Sequence, residues 1–187
     1  VDTRDYVNND SKVQDANVDE AKRILAEGGW NDTDGDGIVD KDGVKASFDL
    51  YYPPDYLDRQ SLSTVFAEQA KELGIEVNLK GADWDTIYQN MYSSAALMQQ
   101  TSPDPYKSIY QQYHSKEADD FYMNPGLYNN TESDALMEQA MHTSDFSQAD
   151  SLWSQSASVN GGGWGPAGDA PFAWLVNYDY NYFIKEG

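Results

Sequence analysis

The chain has 187 residues, 40% of them hydrophobic and 13% aromatic, enough for one good core or two small ones. Its formal net charge of −20 argues against binding nucleic acid backbones or anionic membranes, which need basic patches. Cysteine is absent, so disulfides, thiolate metal sites and cysteine nucleophiles are excluded, and no apolar run approaches the roughly 20 residues of a membrane span.

The opening "VDTRDYVNND" has no apolar leader. It is expected to be a polar lead-in, residues 1–16, of a piece cut from a longer chain. Val18, Ala21, Ile24 and Leu25 then form a helical stripe, with Asn17 as N-cap and Gly28 as the stop. In "KASFDLYY", Ala46, Phe48, Leu50 and Tyr52 alternate as a strand does, and Pro53 and Pro54 end it. Leu62, Val65, Phe66, Ala70 and Leu73 predict a long amphipathic helix that stops at Gly74. "IEVNLK" predicts a second strand, so the unit is βαβ and its strands should run parallel.

Asp83 should cap a third helix with Trp84, Ile87, Tyr88 and Met91 on one face. Trp84 is expected mainly in the core, and so is Tyr106. Residues 95–100 predict a third strand. Asp104 and Pro105 suit the start of a helix carrying Tyr106, Ile109, Tyr110 and Tyr113. Residues 114–130 read as a polar loop. Helices are expected at 131–143, lined by Leu136, Met137, Ala140 and Met141, and at 146–158, lined by Phe146, Ala149, Leu152 and Trp153. "NGGGWGPAGDAP" reads as a flexible loop holding Trp164, and Phe172 to Ile184 as a closing strand region. The pattern is α/β, with a small mixed or parallel sheet flanked by helices.

The densest candidate for chemistry is "NDTDGDGIVDKDG", Asn31 to Gly43, with five aspartates and three glycines. Calcium loops of the EF-hand type place oxygen ligands at alternate positions, with glycine at the sixth. Starting from Asp32, the ligands would be Asp32, Asp34, Asp36, the Ile38 carbonyl and Asp40. The twelfth position, normally glutamate, is Gly43, and a strand follows where an EF-hand has a helix. The loop is therefore either a structural calcium site of another kind or an acidic turn. Without an ion, its crowded carboxylates are expected to repel one another.

No catalytic constellation stands out. His114 and His142 lack metal-site spacing and are expected to be solvated. No G-x-S-x-G is present, and the glycine-rich stretch lacks the lysine of a P-loop. A binding cleft is the better candidate. Open α/β sheets bind ligands beyond the carboxyl ends of their strands. Gln99, Gln100, Thr101 and Ser102 follow the third predicted strand and precede a helix start. Trp164 is a further cleft candidate.

In order and spacing, Gly29–Trp30, the turn Gly35 to Gly43, Leu73 to Val77, Asp83–Trp84, Asp104–Pro105 and Gly168 to Asn177 resemble one family. It is the family-5 extracytoplasmic solute-binding proteins of ABC importers, the peptide- and nickel-binding group. The resemblance runs from about residue 17 to the end. It implies one lobe of a type II periplasmic-binding-protein fold, here the C-terminal lobe over residues 1–187. It also implies a non-enzymatic role, no required cofactor, and an extracytoplasmic, lipid-anchored receptor. The implied partners are a peptide or similar small solute, the N-terminal lobe of the same receptor and the permease subunits. One departure stands out. Peptide-binding members carry an aspartate for the peptide's amino terminus in the stretch before the Asp-Pro turn, and Leu97 to Pro103 contains no acid. The rival expectation, from the residues alone, is a calcium-dependent interaction module centred on residues 32–43.

Overall fold

The computed structural model describes residues 17–99, 102–118 and 123–176. Asn17 caps α1, Val18–Glu27, by accepting the Glu20 N–H at 3.0 Å, and Gly28 closes the helix. The expected stripe forms, yet none of its residues is buried. The acidic turn leads into a short antiparallel ribbon of β1, Asp40–Lys41, and β2, Val44–Lys45. The main sheet begins with β3, Ser47–Tyr52. After it come α2, Leu57–Glu72, β4, Glu76–Gly81, α3, Trp84–Asn90, and β5, Ala95–Ala96. Strand order is β4–β3–β5, and both pairings are parallel. Ser47 faces Glu76, Tyr52 faces Gly81, and Leu50 faces Ala95. The βαβ expectation therefore holds, with β5 shorter than the strand expected over 95–100.

The long helix does not bury the stripe its sequence suggests. Val65 is exposed, whereas Ser63, Ala67 and Ala70 are buried. These three share one face at i, i+4 and i+7, and their small side chains allow close approach to the sheet. The helix ends beside Gly74, which adopts φ +73, a conformation that favours glycine. Ile87 of α3 and Met91, the C-cap that follows it, are buried, as expected. Trp84 is half-buried and stacks on Tyr88 with centroids 5.4 Å apart, so it lies at the margin of the core rather than inside it.

The remaining elements build a second, mainly helical core. Asp104 accepts the Tyr106 N–H at 3.1 Å and starts a π-helical turn, Tyr106–Tyr110, which runs into one α-turn, α4, Gln111–Tyr113. Helices α5, Thr131–His142, and α6, Phe146–Ser156, are capped by Asn130 and Asp145. Their buried residues join Ile109, Tyr110, Tyr113 and Tyr128 around Met137, Ala140 and Trp153. Four expected members do not take part: Leu136 is half-buried outside the cluster, Met141 and Tyr106 are exposed, and Phe146, the first residue of α6, is 87% exposed.

Residues 114–130 are not a solvated loop throughout. Asn124 is fully buried, donates to the carbonyls of His114 and Tyr128, and accepts the Tyr128 N–H at 2.8 Å. The fold-back buries His114, contrary to the solvated histidine expected. Its ring stacks on Tyr110, its Nδ1 accepts the Lys116 N–H at 3.1 Å, and Glu138 lies 3.4 Å from its Nε2. Lys116 and Tyr110 hold the Glu138 carboxyl below the usual range by hydrogen bonding to it. His142 is solvated as expected.

The glycine-rich segment is packed rather than loose. Gly165 donates to the Ala157 carbonyl at 2.8 Å, Asp169 N–H to Gly163 at 2.8 Å, and Gly168 N–H to Gly165 at 3.0 Å. No strand forms over 172–176; the rest of the expected closing strand, 177–184, lies outside the described residues.

Candidate functional site

Parallel strands point their carboxyl ends the same way, so the segments after β3, β4 and β5 meet at one edge. Each contributes a side chain there. Tyr56 and Arg59 come from the start of α2, Trp84 opens α3, and Gln99 follows β5. The Arg59 guanidinium carbon lies 4.9 Å from the Tyr56 ring centroid and 5.0 Å from that of Trp84. Arg59 Nη2 donates to Gln99 Oε1 at 3.1 Å, and Nη1 is buried without a hydrogen-bond partner. The edge thus presents a cation held between two π faces and tied to an amide.

Of the residues expected to line a cleft, Gln99 is at this edge. Ser102 accepts the Asp104 N–H through Oγ at 3.2 Å and so shapes the turn into the next helix. Gln100 and Thr101 lie outside the described residues. Trp164 belongs to the helical core. It stacks on Tyr113 with centroids 4.5 Å apart, and its indole N–H donates to Ser156 at 3.0 Å. Tyr56 and Arg59 were not legible as site residues. The available signal was an arginine just after the first strand, at the start of the crossover helix.

The acidic turn lies at the opposite, amino-terminal edge. Val39 N–H donates to Gly74, Ala46 N–H to Val39, and Glu76 N–H to Ala46, which ties the turn to the beginnings of β3 and β4. Six residues of β3 separate the two edges, roughly 20 Å at strand rise. Within the turn, Asp32 accepts the N–H groups of Gly35 at 2.7 Å and Gly37 at 2.9 Å. Asp40 accepts the Thr33 N–H at 3.0 Å. Lys45 lies 3.1 Å from Asp34 and also pairs with Asp36. Its ammonium, with the Ile38 N–H, holds the Asp36 carboxyl below the usual range.

Oxygens of Asp32, Asp34 and Asp40 come within 4.8 Å of one another, so three of the five proposed ligands are gathered. Asp36 instead turns to Lys45, and the Ile38 N–H donates to it at 2.9 Å. The expected repulsion is thus met by backbone N–H groups and by Lys45, a partner that spacing within the loop did not reveal.

A family model described as "Bacterial extracellular solute-binding proteins, family 5 Middle" matches residues 2–152. The chain is 36% identical over 136 residues to the oligopeptide-binding protein AppA of Bacillus subtilis, covering 71% of this chain and 25% of that protein. It is 38% identical over 126 residues to protein XP55 of Streptomyces lividans, covering 67% of this chain and 23% of that protein. It thus spans about a quarter of the length of these relatives. The solved structure of the Bacillus AppA in complex with a nonapeptide superposes with TM-score 0.64 at 35% identity, over 73% of this chain and 28% of that one. NikZ of Campylobacter jejuni, solved with Ni(L-His), superposes with TM-score 0.69 at 19% identity, over 76% of this chain and 29% of that one, a likeness of fold alone. These neighbours are periplasmic binding proteins of the type II fold, as the resemblance implied. The chain belongs to the family-5 bacterial extracellular solute-binding proteins.

Proposed function

We propose that this chain is the C-terminal lobe, residues 1–187, of an extracytoplasmic, lipid-anchored receptor that delivers peptides or similar small solutes to an ABC importer. The observation that carries this reading is the 36% identity to an oligopeptide-binding protein. The composition of the carboxyl edge supports it. Aromatic faces, an amide and a guanidinium bind solutes, and none of them forms a nucleophile–base pair, so no catalysis is proposed. An N-terminal lobe of the same receptor would close the other side of the cleft, and permease subunits would take the solute. Calorimetric titration of the full-length receptor with peptide libraries and metal chelates is the test. Heat from peptides is expected, and silence with both ligand classes overturns the assignment.

For the acidic turn we infer a structural role with no required cofactor. The gathering of Asp32, Asp34 and Asp40 favours a second reading, a structural calcium site or a calcium-dependent interaction module. Lys45 already compensates Asp34 and Asp36, so thermal melts with calcium and with EDTA are expected to coincide. A large calcium-dependent rise would support the second reading, because an ion that binds only the folded state stabilises it.

A further inference from the structure

Tyr56 places an aromatic ring where burial does not call for one. It is 49% exposed, and Leu57 beside it is 77% exposed. It is the N-cap residue of α2, yet its side chain makes no capping hydrogen bond. What the ring does touch is Arg59, whose guanidinium carbon lies 4.9 Å from its centroid. The backbone beneath it is fixed. The Tyr56 N–H donates to the Pro53 carbonyl at 3.4 Å, and the Tyr56 carbonyl accepts the Gln60 N–H at 3.0 Å. The carboxyl edge of the sheet therefore carries a held aromatic surface, with a cation against one face and much of the rest in solvent.

That cation is not neutralised nearby. Arg23 shows the common arrangement in this acidic chain, with Glu20 at 2.6 Å and Glu27 on its other side. Arg59 instead has the rings of Tyr56 and Trp84 and the oxygen of Gln99, and among the described residues no carboxylate lies within ion-pair distance of it. The face of an aromatic ring is electron-rich and attracts cations. A guanidinium behind the ring already draws on that density, and it repels a second cation brought to the front. The front face of Tyr56 is thus a poor seat for an ammonium or guanidinium group. It suits an uncharged, electron-rich ring in offset stacking. The discrimination is local, because the net charge of −20 otherwise favours cations.

We propose that Tyr56 is a stacking platform of the solute site that takes an electron-rich aromatic side chain of a bound peptide, and that Arg59 behind it excludes cationic side chains from the same place. This rests on the peptide-binding reading of the carboxyl edge, and it makes Tyr56 the residue that sets side-chain preference there.

The first test needs no peptide. The 187-residue chain, with carbon-13 in its tyrosine rings, is titrated by NMR with N-acetyltryptophanamide and with N-acetyllysinamide. The Tyr56 resonance is identified by its loss in Tyr56→Leu. The tryptophan probe is expected to shift it, and the lysine probe to leave it in place. Arg59→Lys retains a cation and should keep that contrast. Arg59→Met retains only an apolar stem and should let the lysine probe shift the ring as well. A purely structural role for Arg59 would not make the charge of the probe matter. The second test titrates the full-length receptor calorimetrically with nonapeptides of alternating alanine and serine, carrying one tryptophan or one lysine stepped through every position. At one position tryptophan is expected to bind about tenfold more tightly than lysine, and Tyr56→Leu to remove that preference.

A Tyr56 ring that ignores the tryptophan probe, answers both probes alike in the wild type, or still rejects the lysine probe in Arg59→Met overturns the proposal. So does a receptor that binds nonapeptides without the preference, or keeps the preference in Tyr56→Leu; the peptide reading then stands alone. If the receptor ignores every nonapeptide while the ring still separates the two probes, the peptide reading fails and the charge-filtered stacking face stands.

Discussion

Gly168→Ala is expected to destabilise the chain by about 3 kcal/mol or more, the upper range of overpacking. A Cβ at residue 168 would press on the carbonyl oxygens of Gly162 and Gly163, the latter 2.5 Å away. Both are backbone atoms and cannot rotate aside. Gly163 accepts the Asp169 N–H, and the Asp169 carboxylate accepts the Tyr128 hydroxyl at 2.8 Å. The clash is therefore transmitted to a buried ring of the helical core. Gly161→Ala is the control. Nothing lies within 4 Å of its Cβ position, and only its φ of +80 opposes alanine, which costs about 1 kcal/mol. Urea unfolding followed by tryptophan fluorescence measures both. Equal losses in the two variants would show that the segment is not packed as described.

A second large effect is expected at Met137. Its side chain is fully buried among Ile109, Tyr113, Ala140 and Trp153. Met137→Ala should cost about 2–5 kcal/mol, from lost transfer energy and the cavity left behind. Phe146→Ala, at a position 87% exposed, should cost less than about 0.5 kcal/mol although its side chain is larger. The pair reverses the order that hydrophobicity alone suggests. If the phenylalanine variant were the weaker protein, the helical core would be misassigned.

Much of the architecture was legible because it depends on local chemistry. Asn17 and Asp83 cap the helices they were expected to cap, since a side-chain oxygen beside free N–H groups needs nothing distant. The alternation in residues 46–52 and 75–80 defined two strands, and the helical pattern between them required a parallel pairing. The order of short motifs was enough to identify the family. Periodicity was less successful at saying which face is buried. In α2 the larger apolar residues sit beside the buried stripe, because close contact with the sheet favours Ser63, Ala67 and Ala70.

The sites divide in the same way. The spacing of aspartates marked residues 32–43 as a place where carboxylates crowd, and the flanking patterns placed that crowd between a helix and a strand. Only the tertiary structure put it at the amino edge of the sheet and brought Lys45 against Asp34 and Asp36. Likewise, the position of Gln99 after a strand was readable, but its tie to Arg59 was not, because no local rule links residues 40 apart. Charge, capping and periodicity act within a few residues of chain. The burial of His114 and the cage around Arg59 arise when separate segments meet, and that meeting is decided by how the whole chain packs.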